Sequence, residues 1–317
     1  MIERPDPDAL LAGPLGTWLA AQNDARAEAK AKARQRRIWG LIAAGAVAVV
    51  VLLFSRGDFG LALQLAFFTG AGGFGWAELA KRPVINRIKG GINGAIAEAL
   101  GLKFSADVTP GETFERAKTF AMLPSYDNSS FEDLWWGTVA DRPFTLHEAR
   151  LTEQRGSGKN RRTVTVFSGS ILSIGFARKF LGTTLVAPQG QFSKFFGGEK
   201  EEAEVGGVRL GRCDMVDPTF EDRFTVWSDD AVDSRYLVHP EYISRLVAVE
   251  QAFAGEKIRA LFREGELLIV LESGNLFESG SLDSDQDRAL LERSIAQFGS
   301  LADLATKLNE RERGSFN

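Results

Sequence analysis

The sequence predicts an α+β protein: an N-terminal two-helix transmembrane hairpin followed by a soluble domain with a mainly antiparallel sheet packed with helices. Three observations carry this. Residues 38–54 contain no charge, and a second apolar run begins at Phe59 after only Ser55-Arg56-Gly57-Asp58. Beyond about Ser105, short alternating runs bounded by turn residues replace the long apolar ones. The expected organisation is a cytoplasmic N-terminal segment with a basic helix (1–37), two membrane helices (38–54 and 59–77), a juxtamembrane amphipathic helix (81–104) and a cytoplasmic α+β domain (105–317).

The first apolar run, IWGLIAAGAVAVVVLLF, spans roughly 26 Å as a helix, close to the hydrocarbon thickness of a bilayer. The second is weakened by Gln64, Thr69 and the glycines 70, 72, 73 and 75. Gly40, Ala44 and Ala48 recur every four residues, as do Ala62, Ala66 and Gly70, which suits close helix packing in lipid. The competing reading is a buried core hairpin of a soluble protein. A secretory signal is excluded, because the first run starts late, lacks a small-residue cleavage pattern and is followed at once by another apolar run.

Basic residues set the expected orientation. Arg26, Lys30, Lys32, Arg34, Arg36 and Arg37 precede the first run, Lys81, Arg82, Arg87 and Lys89 follow the second, and only Arg56 lies between. The positive-inside rule then puts both termini in the cytoplasm of a multi-pass protein. Residues 25–37 consist of strong helix formers and cations and extend the first helix. Arg34, Arg36, Arg37, Lys81 and Arg82 are placed at the membrane surface, where they suit either contact with the lipid bilayer or orientation alone. After Pro83, Ile88, Ile92, Ile96 and Leu100 form one apolar stripe, suited to the membrane surface or to packing on the domain, the latter preferred.

In the soluble domain, strands are expected over residues 144–153, 162–176 and 183–187, with Gly156-Ser157-Gly158-Lys159 as a hairpin turn between the first two. That tetrapeptide lacks the spacing and the following helix of a phosphate loop. Residues 126–134 suit a short helix capped by Asp127 or Asn128, with Trp135 and Trp136 packing behind. Residues 189–207 read as an exposed loop containing Phe192, Phe195 and Phe196, which suit either a partner contact or anchoring of the loop to the core. A strand at 223–227 leads to a turn at Ser228-Asp229-Asp230 and then to Tyr236-Leu237-Val238, followed by a helix from Pro240 to Gly255. A hairpin is expected at 257–262 and 267–271 around Glu264-Gly265, and a last helix from a Ser284 cap to about residue 310. The meander and terminal helix suggest a pleckstrin-homology-like half-barrel.

The segments YDNSSFEDL (126–134), Phe167-Ser168-Gly169, FEDRFTV (220–226), residues 228–237 and Asn275-Leu276-Phe277-Glu278 resemble a bacterial family known as domain of unknown function 3137. The resemblance covers roughly residues 114–278. It implies an inner-membrane protein with paired N-terminal helices, occurring beside LemA-type membrane proteins, and supplies no reaction, cofactor or catalytic residues.

The net charge of −4 argues against nucleic acid as a partner. The single Cys213 excludes an internal disulfide framework, and two histidines exclude a His-rich metal centre. No cofactor is expected. The candidate functional surface is Asp229, Asp230, Asp233 and Arg235, with Asp127 and the three phenylalanines. Its acidic residues suit a divalent cation, but a turn with local ion pairs is the preferred reading. A membrane-tethered binding or scaffold module, partnered by another membrane or cytoplasmic protein, is therefore expected. The alternatives are a metal-assisted hydrolase centred on Asp229 and a subunit of an oligomeric channel, for which Gln64 and Thr69 are the polar candidates.

Overall fold

The computed structural model describes residues 3–55, 58–176, 182–192, 200–215, 218–238, 242, 244, 246, 247 and 257–314. It divides into two compact units. One comprises residues 6–95 and 279–293; the other comprises residues 1–5, 96–278 and 294–317.

The helical unit holds α1 (Pro7–Ala12), α2 (Pro14–Ala21), α3 (Asn23–Phe54), α4 (Phe59–Leu79) and most of α5 (Arg82–Ala99). Asp6 caps α1 by accepting from the Asp8 amide, and Asp58 caps α4 by accepting from Leu61. Residues 14–54 run on as one long helix bent at Gln22, and it is long and apolar enough to cross a membrane, with mean hydropathy 2.3 in its most apolar window. Only 11% of that window is buried. By the same measure α4 does not qualify, because Gln64, Thr69 and its glycines dilute it. Helices α3 and α4 nevertheless pack through the small residues expected. Gly40, Ala44 and Ala62 are buried, and a Cβ on Gly40 would stand 2.7 Å from the Gly73 Cα.

Helix α5 buries Ile88, Ile92 and Ile96 completely. These three side chains of the expected stripe are packed in protein. Gly91 is required there, because a Cβ would run into the Trp18 ring of α2. The helical unit also takes in residues 279–293. Arg26, expected as one more cation of the basic stretch, is instead buried and bonds both Asp287 oxygens through Nη2 at 2.7 and 2.8 Å.

The sheet unit is built on ten strands: β1 (Lys103–Asp107), β2 (Asn128–Val139), β3 (Arg142–Arg155), β4 (Arg162–Gly175), β5 (Thr184–Pro188), β6 (Glu202–Val205), β7 (Val208–Cys213), β8 (Phe224–Ser228), β9 (Lys257–Arg263) and β10 (Glu266–Glu272). Their order is β1-β2-β3-β4-β10-β9-β5-β8-β7-β6, every pair antiparallel. The mixed helix and antiparallel-sheet class is as expected. The ten strands form a single order with β1 and β6 at its edges.

One face of the sheet packs against α6 (Glu112–Thr119): Phe114, Ala117, Phe120 and Met122 meet Ala149, Phe167, Ile171, Leu268 and Val270. The other face carries Trp135 and Phe144, covered by Phe277 and by Phe298 of the last helix, α9 (Asp287–Gly314). Trp135 is fully buried.

Three expectations are corrected. Residues 126–134 are not a capped helix but the start of β2, because pairing with β3 overrides local capping. Asp127 instead accepts from the Gln154 amide at 2.7 Å across that pair. The stretch at 236–238, expected to follow a turn, instead follows a helical segment. Its residues 236 and 237 end α8 (Ala231–Leu237), which comes after the short α7 (Pro218–Glu221) and is capped by Asp230. The loop at 189–207 contains β6, which turns into β7 through Gly206 and Gly207 at φ 60° and 73°. The hairpin at Glu264-Gly265 forms as expected, both residues at positive φ. The last helix begins at Asp287, after a 3-10 turn over Ser284–Gln286. Most of the expected helix at 240–255 lies outside the described residues, although Tyr242 and Leu246 are buried.

Candidate functional site

The strongest surface feature belongs to the helical unit. Among the described residues, every exposed large hydrophobic side chain except Val232 lies between Ile38 and Leu79 on α3 and α4. A monomeric soluble protein rarely exposes so extended an apolar area. At one end of this band sits a collar of basic and aromatic residues. Arg36 donates to the Trp76 carbonyl at 3.0 Å, and its guanidinium lies 4.8 Å from the Trp76 ring centroid. Arg37 bonds Glu78 at 2.6 Å and lies 5.8 Å from the Phe74 ring, while Lys81 bonds the same carboxylate at 2.8 Å. Of the five basic residues expected at a membrane surface, Arg34 and Arg82 are exposed, whereas Arg36, Arg37 and Lys81 are half-buried and engaged. Together with Trp76 they form the amphipathic collar that suits a headgroup boundary.

The acidic residues around Asp229 do not converge. Asp229 Oδ1 accepts from the Thr183 amide at 2.6 Å. Asp230 Oδ1 accepts from the Val232 and Asp233 amides at 2.9 and 3.0 Å as the α8 cap. Asp233 is buried, Arg235 is exposed, and Glu221 accepts from the Met215 amide at 2.7 Å. The carboxylates of Asp229, Asp230 and Glu221 hold backbone. Phe192 anchors its segment by packing on Trp227, with ring centroids 5.2 Å apart; Phe195 and Phe196 lie outside the described residues.

A different trio does converge. Carboxylate oxygens of Glu132 on β2, Glu148 on β3 and Glu278 lie within 4.8 Å of one another. A bulge in β2 between Glu132 and Trp135, with Asp133 at φ 57°, re-aims this stretch. Glu148 is buried and accepts from the Leu276 amide at 2.7 Å, and Asn275 Nδ2 donates to Glu132 and Glu278 at 3.2 and 3.3 Å. All-oxygen donors of this kind suit a hard divalent cation, while the amide donors of Asn275 and Leu276 already offset part of the charge. Sequence reasoning missed the trio because its members sit far apart in the chain and meet only through strand register. On the α6 side of the sheet, a hollow of about 400 Å³ is rimmed by Trp136 and Glu266, the latter held by Arg116 and Ser173.

Burial moves the titration of His147 and Asp287 away from their ordinary values. Desolvation pushes His147 down to about 4. Desolvation also raises Asp287, against the lowering effect of its Arg26 bonds.

An apolar helical unit joined to an antiparallel-sheet unit gives a protein with a candidate membrane helix near its N-terminus. A family model described as a protein of unknown function (DUF3137) matches residues 165–310, from β4 into α9, so over that span the chain is similar to this family. The resemblance read from the sequence thus holds, although segment 126–134 falls outside the matched span. The chain is also similar to the crystal structure of the mycobacterial trehalose monomycolate transport factor A. That similarity has a TM-score of 0.37 and 9% identity over 69% of this chain and 94% of the other, too distant to assign a fold or a function. No curated protein matches the chain.

Proposed function

We propose that the protein is a membrane-tethered binding or scaffold module, with α3 and α4 both crossing the bilayer and the sheet unit held on the cytoplasmic side. The observation that carries this reading is the exposed apolar band of residues 38–79, ended by the Arg36–Trp76 and Arg37–Glu78 collar. In water such a band is a liability. In lipid it is the expected outer surface of a two-helix anchor. The excess of basic residues on both flanks favours cytoplasmic termini in an inner membrane, with a few residues outside. The resemblance read from the sequence makes a LemA-type membrane protein a candidate partner. The acidic residues around Asp229 add no support for hydrolysis, since Asp229, Asp230 and Glu221 are engaged with backbone amides.

Accessibility of single cysteines in intact cells tests the topology, in a Cys213→Ser background. Labelling of Ser55→Cys by an impermeant thiol reagent, with Ser284→Cys protected, is the expected result. Labelling at 284 with 55 protected would reverse the orientation. Protection of both would remove the two-span reading. The scaffold role predicts specific neighbours in proximity labelling, lost when the chain is cut after the anchor; identical neighbours for both chains would overturn it.

A further inference from the structure

We infer that the collar at the end of the apolar band is a binding site for an anionic phospholipid, whose phosphate is held by Arg36. The inference rests on the membrane-spanning reading proposed above and adds to it the charge class of the lipid. Residues 34–37 and 76–82 carry five cations, Arg34, Arg36, Arg37, Lys81 and Arg82, against one carboxylate, Glu78. Arg37 and Lys81 share that carboxylate. Among the described residues, Arg34, Arg36 and Arg82 form no ion pair, so the collar keeps a surplus of positive charge. Trp39, Trp76 and Leu79 stand exposed within a few residues of these cations. A soluble anion would meet the charge and leave the apolar side chains bare. A phospholipid with a negative headgroup covers both, its phosphate at the collar and its acyl chains along α3 and α4.

Arg36 is the residue prepared for the phosphate. At the end of α4 the Ala80 amide bonds the Ala77 carbonyl, and Arg36 Nη1 donates to the Trp76 carbonyl that this leaves open, at 3.0 Å. The same guanidinium lies 4.8 Å from the Trp76 ring centroid. Both contacts fix the cation at a helix C-terminus without cancelling its charge. Its other edge, Nε and Nη2, makes no hydrogen bond among the described residues. Such an edge donates two parallel N–H bonds to two oxygens of one phosphate. Arg37, by contrast, spends Nη2 on Glu78 at 2.6 Å. A helix cap needs one donor, which a lysine also supplies; the second edge is what a phosphate adds to the requirement.

The test uses the full chain with Trp39→Phe, which leaves Trp76 as the one tryptophan of the apolar band, reconstituted in vesicles of equal parts phosphatidylcholine and phosphatidylglycerol. Bromine on the acyl chains of one lipid or the other quenches Trp76, and the ratio of the two reads headgroup preference at the collar. Brominated phosphatidylglycerol is expected to quench more strongly. Arg36→Gln should lower that preference about fivefold, the effect of one basic residue near an anionic surface. Arg36→Lys keeps the charge but not the fork and should restore the preference only in part. Lys30→Gln, about 9 Å further along α3, should change it less than twofold. Equal quenching by both lipids, a preference that ignores Arg36→Gln, full rescue by Arg36→Lys, or an equal loss with Lys30→Gln overturns the inference and leaves the anchor standing. A Trp76 that neither lipid quenches would overturn the anchor, and the lipid site with it.

Discussion

The two units treat apolar and polar groups in opposite ways. The sheet unit hides its large hydrophobics, Trp135, Phe144, Phe167, Trp227 and Phe262 among them, and exposes only Val232 of that kind among the described residues. The helical unit does the reverse along α3 and α4, showing Ile42, Leu53, Phe59 and Phe67 outward while packing glycine and alanine inward. Its buried positions also include Arg26, Lys89, Asn93 and Asp287. Water drives the first arrangement, because burial of apolar surface is its main stabilising term. The second is what the proposed membrane anchor requires, since in an apolar solvent helices associate by close packing and internal polar bonds.

The contrast is most easily broken at its cores. Trp135→Ala should destabilise the sheet unit by about 4 kcal/mol, since it empties a site packed by Phe104, Phe277 and Phe298. Denaturant titration followed by tryptophan fluorescence would show it, and a midpoint shift worth under about 1 kcal/mol would mean that this face is not a tightly packed core. In the helical unit the corresponding change is polar. Asp287→Ala leaves the Arg26 guanidinium buried without its carboxylate and should cost about 3 kcal/mol, whereas Arg26→Met with Asp287→Leu should recover most of that loss. Thermal unfolding of both variants in detergent checks this. Equal losses in the single and double variants would assign the effect to packing alone.

The surfaces come next. Val49→Lys adds a charge to the exposed apolar band and should reduce membrane insertion by about 2 kcal/mol, less than at a helix centre because a lysine there can reach toward the boundary. Val232→Lys, at the one exposed large hydrophobic of the sheet unit, should change stability by no more than about 0.5 kcal/mol. Fractionation with carbonate distinguishes the two. If Val49→Lys stays as membrane-bound as the parent chain, the band does not face lipid.

Much of the fold was legible because its signals are local. The apolar run at 38–54, the small-residue spacing of Gly40 and Ala44, the alternation of β4 and the Glu264-Gly265 turn each need only a few neighbouring residues. The signal for β6 and β7 was also present in Gly206-Gly207 between AEV and VRL, but the surrounding charge made it read as loop. What escaped depends on long-range register. Residues 126–134 have a good capping pattern and become a strand only because β3 pairs with them. Arg26 sits in a basic run and reads as one more cation, although Asp287 lies 261 positions away. The Glu132, Glu148 and Glu278 trio was invisible for the same reason, while the more conspicuous Asp229 and Asp230 hold backbone amides.

The smallest effect concerns the sheet unit's handling of charge. His147 is buried on β3 opposite Ile171, with a Phe131 ring centroid 6.1 Å away and no hydrogen-bond partner for Nε2. Desolvation holds its folded pKa at about 4, below the unfolded value of 6.5. Between those two values the unfolded chain binds a proton that the folded chain refuses, so stability falls as pH drops through this window and flattens below it. The expected loss is about 1 kcal/mol between pH 6.5 and 5.5. Carboxylates contribute their own acid dependence, so the informative quantity is the difference between the parent chain and His147→Leu. That variant should lose the slope between pH 6.5 and 4 while the sheet unit remains folded at neutral pH. Parallel pH profiles would mean that His147 reaches water or a partner when charged. The sheet unit would then tolerate a buried cation as the helical unit does with Arg26, and the contrast between the two would narrow to their apolar surfaces.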